Sequence, residues 1–363
     1  MALTTPLPLI FEGIGYTGTR DGLGDGLPLK VFRTPVPQPG PDQILVHSQW
    51  SSLNPLEYKL AGLNFLGRTP PVVLGFDLAG IVVGIGRDVL DFAIGNEVMA
   101  MADSNGEGCW AAGATGGYAL TRNFLTAKKP ATVSFRDAAA LPTCFLSAFL
   151  ALHPHLHKGD AVYIPGGGGG VGHLAVQMAA RTLGARIIVS SGSSAASLAV
   201  ARASGATHVF NYKTDDIAAE ISALTGGRGV DLVFDATYSE SGFIDTAQLV
   251  RSGGIWAVLG VGPGKTSRVV ETESPVEAIL AERDARHVNI NLLRYFTDPL
   301  LLDADGKALL QLGMQRAAQW ACEGKVVPHV GRTIAGTPGG ISDALADMAA
   351  GRSPPGKVVV SLS

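Results

Sequence analysis

The sequence has few cysteines, little charge of either sign and no long apolar run. Cys109, Cys144 and Cys322 lie far apart, so they cannot form a four-cysteine zinc site, and their odd number suits a reducing compartment. The formal net charge is -3, which provides no basic surface for a phosphate backbone. We therefore expect no nucleic-acid partner.

No part of the chain resembles a membrane span or an export signal. The longest apolar stretch, 138–152, is interrupted by Pro142 and is shorter than the ~20 residues that cross a bilayer. The N-terminal run PLPLIF has no basic flank, and no small-residue cleavage site follows it. A cytoplasmic protein without membrane contact is the expectation.

Glycine, in contrast, is abundant, and the pattern of apolar residues changes near residue 135. The 47 glycines among 363 residues are close to double the usual share of ~7%. Residues 72–100 repeat short β-branched runs punctuated by glycine, which is typical of a small barrel. After residue 135, five apolar strand patterns alternate with helical patterns, which predicts a doubly wound parallel sheet. The length allows two such domains.

A glycine-rich turn follows the first strand of this alternation, in the segment DAVYIPGGGGGVGHLAVQMAA at 160–180. Gly167, Gly169 and Gly172 satisfy G-x-G-x-x-G between a strand and a helix. Residues without Cβ let the backbone approach a diphosphate, and a helix N-terminus offers N–H groups and a favourable dipole. The segment, with Gly170 and Val171, predicts a dinucleotide site; the alternative is a merely flexible turn.

The second strand of the alternation ends in serines rather than in an acid. NAD sites usually place Asp or Glu about 20 residues after the first glycine to bind the ribose hydroxyls. No acidic residue occurs between Arg186 and Val209, whereas Ser190, Ser191 and Ser193 offer hydroxyls. The pattern favours NADP(H) because a 2′-phosphate would meet no repulsion. Alternatively, these serines form only a loop and a helix cap.

These motifs, in this order, resemble the zinc-independent quinone oxidoreductase (zeta-crystallin-like) and enoyl reductase branch of the medium-chain dehydrogenases/reductases. The matching segments are NPLEY at 54–58, GFDLAG at 75–80, GYA at 117–119, AAALP at 138–142, the glycine loop, GA at 205–206 before NY at 211–212, GVD at 229–231 with Asp235, and GKVV at 356–359. The resemblance implies a GroES-like β-rich catalytic domain at 1–136 and 300–363, and a Rossmann domain at 137–299.

The resemblance also departs from the zinc-dependent branch of the same superfamily. That branch carries Gly-His-Glu where this chain has Gly75-Phe76-Asp77, and phenylalanine cannot ligate a metal. The one tempting histidine cluster, HPHLH at 153–157, ends a helix, where polar residues are ordinary. We expect no metal. Without a Lewis acid, a conjugated acceptor is favoured over a simple ketone, because its π-system spreads the developing charge.

Site residues follow from the resemblance. It places Asn54 and Tyr58 beside the nicotinamide and the substrate, with Tyr58 as a hydrogen-bond or proton donor. The alternatives are a turn asparagine before proline and an aromatic residue that packs a helix. The segment after Asn54 is one residue shorter than the usual family form. Further expected cofactor contacts are Ser147, Tyr212, Gly260, Val261, Arg352 and Lys357, although Lys357 could be only a solvated residue before a strand.

Three functions are therefore compared. The first is NADPH-dependent hydride transfer to a small-molecule quinone or α,β-unsaturated carbonyl. The second is a trans-acting enoyl reductase of a polyketide or fatty-acyl pathway, and the third is a non-catalytic NADPH-binding family member. An edge strand expected near 287–295 could pair across a homodimer, although the surrounding stretch fits the family pattern poorly and could be a plain surface elaboration.

Overall fold

The computed structural model describes residues 7–17, 29–63, 68–103, 115–237, 240–259, 275–292 and 303–362. The chain divides into two compact units. The first unit comprises Met1–Leu146, Arg294–Gly324 and Val330–Ser363, and the second comprises Ser147–Leu293 and Lys325–His329. The chain therefore leaves the first unit and returns to it. The predicted domain limits, 1–136 with 300–363 and 137–299, stay a prediction.

The elements are numbered in chain order. The strands are β1 (Ile10–Tyr16), β2 (Leu29–Pro35), β3 (Gln43–Leu53), β4 (Val72–Val73), β5 (Asp77–Ile85), β6 (Glu97–Ala102), β7 (Tyr118–Lys128), β8 (Ala161–Pro165), β9 (Ile187–Gly192), β10 (His208–Asn211), β11 (Val230–Asp235), β12 (Val250–Leu259), β13 (Arg286–Ile290), β14 (Val330–Ala335) and β15 (Lys357–Ser361). The helices are α1 (Pro55–Leu63), α2 (Phe135–Ala139), α3 (Pro142–Leu152), α4 (Gly172–Met178), α5 (Ala195–Ser204), α6 (Ile217–Thr225), α7 (Glu240–Ala247), α8 (Pro275–Glu282), α9 (Ala304–Cys322) and α10 (Pro338–Ala349).

The first unit is built on two β-sheets. A six-stranded sheet has the order β14-β15-β3-β5-β6-β7, and β3 also pairs with β7, so β3, β5, β6 and β7 form a closed ring. Inward-facing apolar residues fill this ring, among them Ile44, Val46, Leu78 and Val98, all fully buried. A second sheet has the order β2-β1-β4. The predicted small barrel is thus present.

The second unit is built on a six-stranded parallel sheet of order β10-β9-β8-β11-β12-β13. Every residue of β8 is buried, as expected for a central parallel strand covered on both faces. The strand order reverses between β8 and β11, and ligands of such sheets bind at the carboxyl ends of the strands at that point. The predicted α/β class with a doubly wound sheet is confirmed.

One predicted strand has different bounds in the structure, and the last long helix has a clear start signal. The strand expected near 287–295 is β13, which begins at Arg286 and ends at Ile290; residues 293–302 lie outside the described part of the chain. Helix α9 begins at Ala304, because the side chain of Asp303 accepts the backbone N–H of Gly306 and caps the helix there. Among the described helices, none combines the length and hydropathy needed to cross a bilayer.

Candidate active site

The turn after β8, residues 166–172, is here called the glycine loop, and its close packing excludes side chains. A Cβ on Gly168 would lie 2.4 Å from the carbonyl oxygen of Ser197, and one on Gly172 would lie 2.2 Å from that of Gly166. Both obstacles are backbone atoms, which cannot rotate away. Gly166 also has a φ of 70°, a left-handed conformation that glycine adopts without strain. The run of glycines is therefore a steric requirement of this turn.

The helix that follows the glycine loop begins without a side-chain cap. Its N-cap residue is Val171, whose apolar side chain cannot accept a hydrogen bond from the first-turn N–H groups. α4 continues into a π-helical turn at Ala179–Leu183. Gly169 is exposed, and Gly170 and Val171 are half-exposed. Backbone donors and a positive helix end thus stand at the surface, the arrangement that favours an anion such as a diphosphate.

Ser190 and Ser191 lie behind the glycine loop rather than on its open side. Ser190 is fully buried, and its Oγ donates to the carbonyl of Ile164 at 2.8 Å and accepts the N–H of Gly167 at 3.1 Å. The hydroxyl of Ser191 is hydrogen-bonded to that of Tyr163 at 2.8 Å. The expectation that these two hydroxyls face a 2′-phosphate is corrected accordingly, because both are engaged inside the unit.

The other expected contacts of the second unit have varied positions. Ser193 is half-exposed just beyond β9. Ser194 and Ser197 form a capping box at the start of α5, so part of this serine run is a helix cap. Tyr212 is 56% exposed, and its N–H donates to the carbonyl of Gly192 at 3.1 Å. Ser147 is buried. Gly260 and Val261 lie outside the described residues, and their contacts stay predictions.

A cluster of buried polar side chains in the first unit consists of Asn54, Glu57, Asp77, Cys144 and Lys357, and is called the polar cluster below. Lys357 Nζ donates to Asn54 Oδ1 at 2.8 Å and to Asp77 Oδ2 at 3.2 Å. It is 2% exposed, so the alternative of a solvated lysine is wrong. The cluster joins residues that are up to 303 positions apart in the chain.

Asn54 holds this cluster together through its whole amide. Its Nδ2 donates to Asp77 Oδ2 at 2.9 Å, and its Oδ1 accepts from Lys357 and, at 3.7 Å, from the thiol of Cys144. Its backbone N–H donates to Glu57 Oε2 at 2.6 Å, which is half of a capping box at the start of α1. These bonds make Asn54 a positioning residue of the first unit; its expected contact with a nicotinamide stays a prediction.

Burial changes the ionisation of the polar cluster. It raises the pKa of Glu57 to about 8, with the charge of Asp77 acting in the same direction and Lys357 opposing it. Burial lowers the pKa of Lys357, but the neighbouring Cys144, Asp77 and Glu57 more than offset this, so the net shift is upward. Burial raises the pKa of the Cys144 thiol to about 11. Near pH 7, Lys357 is therefore protonated and Cys144 is a neutral thiol.

Tyr58 follows Glu57 on α1 and lies outside this network. Its side chain is half-buried, and burial raises the pKa of its phenol. The phenol therefore keeps its proton at neutral pH. In the part of the chain that the structure describes, its hydroxyl makes no hydrogen bond, so it is available to a ligand. Arg352, in contrast, is exposed and ion-paired with Asp347 at 3.1 Å.

Metal ligands do not converge in the described residues. No group of three His, Cys, Asp or Glu side chains there is placed to hold a metal ion. Phe76 stands where the zinc branch has a histidine. It is buried, and its backbone N–H donates to Glu57 Oε1 at 3.1 Å. Of the HPHLH histidines, His153 stacks on Phe149, and His157 lies 3.5 Å from Asp160.

Sequence reasoning missed three residues that the structure brings into these sites. Glu57 and Asp77 were quoted only as parts of motifs, although Asn54-x-x-Glu57 has the spacing of a capping box, a signal that was available. His173, directly after the G-x-G-x-x-G pattern, contacts the carbonyl of Gly169 at 2.8 Å. No sequence pattern indicated that contact.

Comparison with known proteins agrees with both units. Residues 40–132 match the family model described as alcohol dehydrogenase GroES-like domain, and residues 170–292 match the one described as zinc-binding dehydrogenase. The structure of the quinone oxidoreductase from Coxiella burnetii is 25% identical with a TM-score of 0.74, over 98% of this chain and 100% of that one.

Two curated relatives share the reductase theme. The chloroplastic quinone-oxidoreductase QR1 of Triphysaria versicolor is 34% identical over 55% of this chain and 61% of its own length. The 2-haloacrylate reductase of a Burkholderia species is 32% identical over 65% of this chain and 71% of its own length. The match to QR1 thus spans less than two thirds of that protein. With the GroES-like unit, the doubly wound sheet and these relatives, the chain belongs to the medium-chain dehydrogenase/reductase family of oxidoreductases.

Proposed function

We propose that the chain is an NADPH-dependent reductase that transfers a hydride to a quinone or an α,β-unsaturated carbonyl without a metal. The observation that supports this most directly is the glycine loop at the switch point of the parallel sheet. Its backbone leaves no room for a Cβ at Gly168 or Gly172, and it leads into a helix without a side-chain cap. A turn of this kind fits a dinucleotide diphosphate.

The residues of the second unit fit a nicotinamide dinucleotide. We assign the diphosphate to the N–H groups of Gly170 and Val171 and to the start of α4, with Gly167 and Gly172 allowing close approach. The N–H of Gly169 donates instead to the carbonyl of Gly166 at 2.8 Å, which closes the turn. Ser190 supports this loop from behind through Gly167. When bound, the cofactor supplies the hydride; the protein binds, orients and shields it.

The segment after β9 supports NADPH over NADH. Residues 187–208 contain no carboxylate, so a 2′-phosphate near Ser193 would not be repelled. Tyr212 is exposed at the end of β10, followed by exposed Lys213, which offers an aromatic face and a cation to an adenosine phosphate. The nearest acids, Asp215 and Asp216, are engaged by backbone N–H groups of Asn211 and Ala219. A contact from Arg352 stays part of the proposal.

We propose a conjugated acceptor because Phe76 stands where the zinc branch has a histidine ligand. Its side chain cannot bind a metal ion that would act on the substrate as a Lewis acid. Hydride addition to an enone or quinone places negative charge on an oxygen through the π-system, and a protein donor can stabilise that charge. The two curated relatives are named for a quinone and a haloacrylate, both conjugated acceptors. The proposal extends this acceptor class to the present chain.

Tyr58 is the proposed donor to that oxygen. Its raised pKa keeps the phenol protonated, and a donor near a developing enolate lowers the barrier. The polar cluster next to it fixes the start of α1, since Asn54 and Glu57 bond each other there. Tyr58→Phe is expected to lower kcat more than it weakens cofactor binding.

A turnover panel tests this function. Purified protein, treated with a chelator and assayed for residual zinc, is given NADPH or NADH with a quinone, an alkyl enone, a haloacrylate or an acyl thioester. NADPH-dependent reduction of a quinone, enone or haloacrylate is the expected result. Preference for NADH would contradict the cofactor assignment, and exclusive thioester reduction would support an enoyl reductase. NADPH binding without any turnover would indicate a non-catalytic family member.

A further inference from the structure

The glycine loop is held by a histidine that the proposed function leaves unexplained. His173, in the first turn of α4, is fully buried. Its ring Nδ1 lies 2.8 Å from the carbonyl oxygen of Gly169, and its backbone N–H donates to the same oxygen at 3.1 Å. Gly169 is exposed. One buried residue thus contacts the most exposed peptide of the loop twice.

The tautomer of this ring follows from its second contact. The backbone N–H of His329 lies 2.9 Å from His173 Nε2, and a backbone N–H can only donate. Nε2 must therefore carry a lone pair, which places the ring proton on Nδ1. Nδ1–H then donates to the Gly169 carbonyl. Both contacts are satisfied together by the neutral Nδ1–H form alone.

The segment that fixes the ring, Lys325–His329, lies along α4, and its backbone is hydrogen-bonded to side chains of that helix. Gln177 Oε1 accepts the N–H of Val327, and Gln177 Nε2 donates to the carbonyl of Val327, both at 2.8 Å. Four helical residues rise about 6 Å, close to the ~6.6 Å of two extended residues. His173 and Gln177 can therefore bond His329 and Val327 in succession, so the ring has a rigid support.

Fixing one carbonyl directs the opposite end of its peptide. A trans peptide group is planar, and its C=O and N–H point in opposite directions. Because His173 draws the Gly169 carbonyl inward, the N–H of Gly170 points away from His173. Gly170 is half-exposed at the start of the uncapped helix, where the proposed diphosphate would lie.

We propose that His173 is a positioning residue that orients the Gly169–Gly170 peptide so that the Gly170 N–H faces the cofactor diphosphate. This inference rests on the proposed function for the identity of the ligand. The ring touches neither substrate nor cofactor. It acts through the peptide that it holds, and its own orientation is set by the backbone of His329.

Two substitutions separate the two ends of the ring. His173→Asn places an amide donor near the position of Nδ1 and omits the acceptor for His329. His173→Gln places an acceptor near the position of Nε2 and omits the donor to Gly169. His173→Gln is expected to raise the Kd for NADPH about tenfold, the loss of one buried hydrogen bond, while His173→Asn stays within about twofold of wild type.

Gln177→Leu is the matched control, since it removes two bonds to Val327 but none to the glycine loop. It is expected to lower the Tm and to raise the Kd for NADPH clearly less than His173→Gln does, because the ring keeps its donor to Gly169. Equal weakening of binding in His173→Asn and His173→Gln, or weakening in Gln177→Leu as large as in His173→Gln, would overturn the proposal, because a purely structural role would affect all three alike.

A measurement on wild-type protein decides the hydrogen-bond part even if a variant does not fold. Histidine ring 15N spectra are expected to contain a neutral ring protonated on Nδ1, with slow exchange of that proton. Spectra without such a ring would refute the assignment. Wild-type protein that binds no nucleotide would instead sink the proposed function, and the ring spectra would still test the geometry of Gly169.

Discussion

The glycine loop of the second unit presents backbone amides at the surface, whereas the polar cluster of the first unit keeps charged side chains away from water. In the loop, the proposed binding of a diphosphate depends on the absence of side chains, and buried Ser190 and His173 fix the backbone from the inner side. In the cluster, Lys357 and Asp77 are buried beside each other, and each charge offsets the free-energy cost of burying the other. We therefore expect changes in the loop to affect NADPH binding, and changes in the cluster to affect the stability of the fold.

The largest expected effect comes from breaking the buried ion pair. Lys357→Met leaves Asp77, which is fully buried, without its cation, and such a change costs about 3–5 kcal/mol of unfolding free energy. Chemical denaturation measures it. The double variant Asp77→Asn with Lys357→Met removes both charges and is expected to recover part of the loss. A double variant less stable than Lys357→Met would show that the pair is not the source of the stability.

A smaller but more localised effect is expected from Gly172→Ala. The added Cβ would lie 2.2 Å from the carbonyl oxygen of Gly166, so the loop must shift, and NADPH affinity is expected to fall by about 100-fold or ~2.7 kcal/mol. Gly339→Ala is the matched control, since it also lies in the first turn of a helix and its Cβ meets nothing within 4 Å. Similar losses of affinity in both variants would remove the loop from the account.

The pH dependence of stability distinguishes the cluster from the loop. The folded-state pKa of Glu57 is raised from 4.5 to about 8, so the folded protein binds more protons than the unfolded chain between these values. The stability from this group is complete below pH 4.5 and is lost as pH rises towards 8, by at most about 1.4 kcal/mol per pH unit.

Glu57→Gln is expected to abolish this slope, whatever its overall cost in stability. The measurement is the unfolding free energy of both proteins at intervals from pH 5 to 8. Parallel curves for wild type and Glu57→Gln would mean that Glu57 does not titrate in this window.

The smallest effect is expected behind the loop. Ser190→Ala removes the acceptor for the Gly167 N–H, and a hydrogen bond of about 1 kcal/mol predicts a fivefold rise in the Kd for NADPH. Thr225→Ala is a matched control, because Thr225 Oγ1 likewise donates to a carbonyl, that of Ile221, and accepts a glycine N–H, that of Gly229. Only Ser190→Ala should affect binding, as measured by fluorescence titration.

The two regions also differ in how far sequence alone predicts them. Gly167, Gly169 and Gly172 stand within six positions, between a strand and a helix, so a local pattern was sufficient to locate the loop. The glycine-punctuated β-branched runs likewise predicted a β-rich unit, and the alternation of strand and helix patterns predicted a doubly wound sheet. Lys357 reaches Asn54 across 303 positions, and no local periodicity encodes such a contact. It depends on β15 pairing with β3 in a single register.

The serines show a subtler limit of sequence reasoning. Their hydroxyls predicted contacts with a phosphate. Successive side chains of a strand point to opposite faces, however, and the residues packed on each face determine what each hydroxyl bonds. On β9, Ser190 points to Gly167 and Ser191 to Tyr163. The sequence located the hydroxyl groups, but the packing of the unit uses those of Ser190 and Ser191 for internal hydrogen bonds.

The most direct test is a calorimetric titration of NADPH into wild-type protein freed of metal by a chelator, with the Gly172→Ala variant alongside. The account predicts saturable binding of NADPH by the metal-free wild type, weaker binding of NADH, and a large loss in Gly172→Ala. Absence of binding of either nucleotide by the wild type, or binding and turnover that return only on addition of zinc, would contradict it.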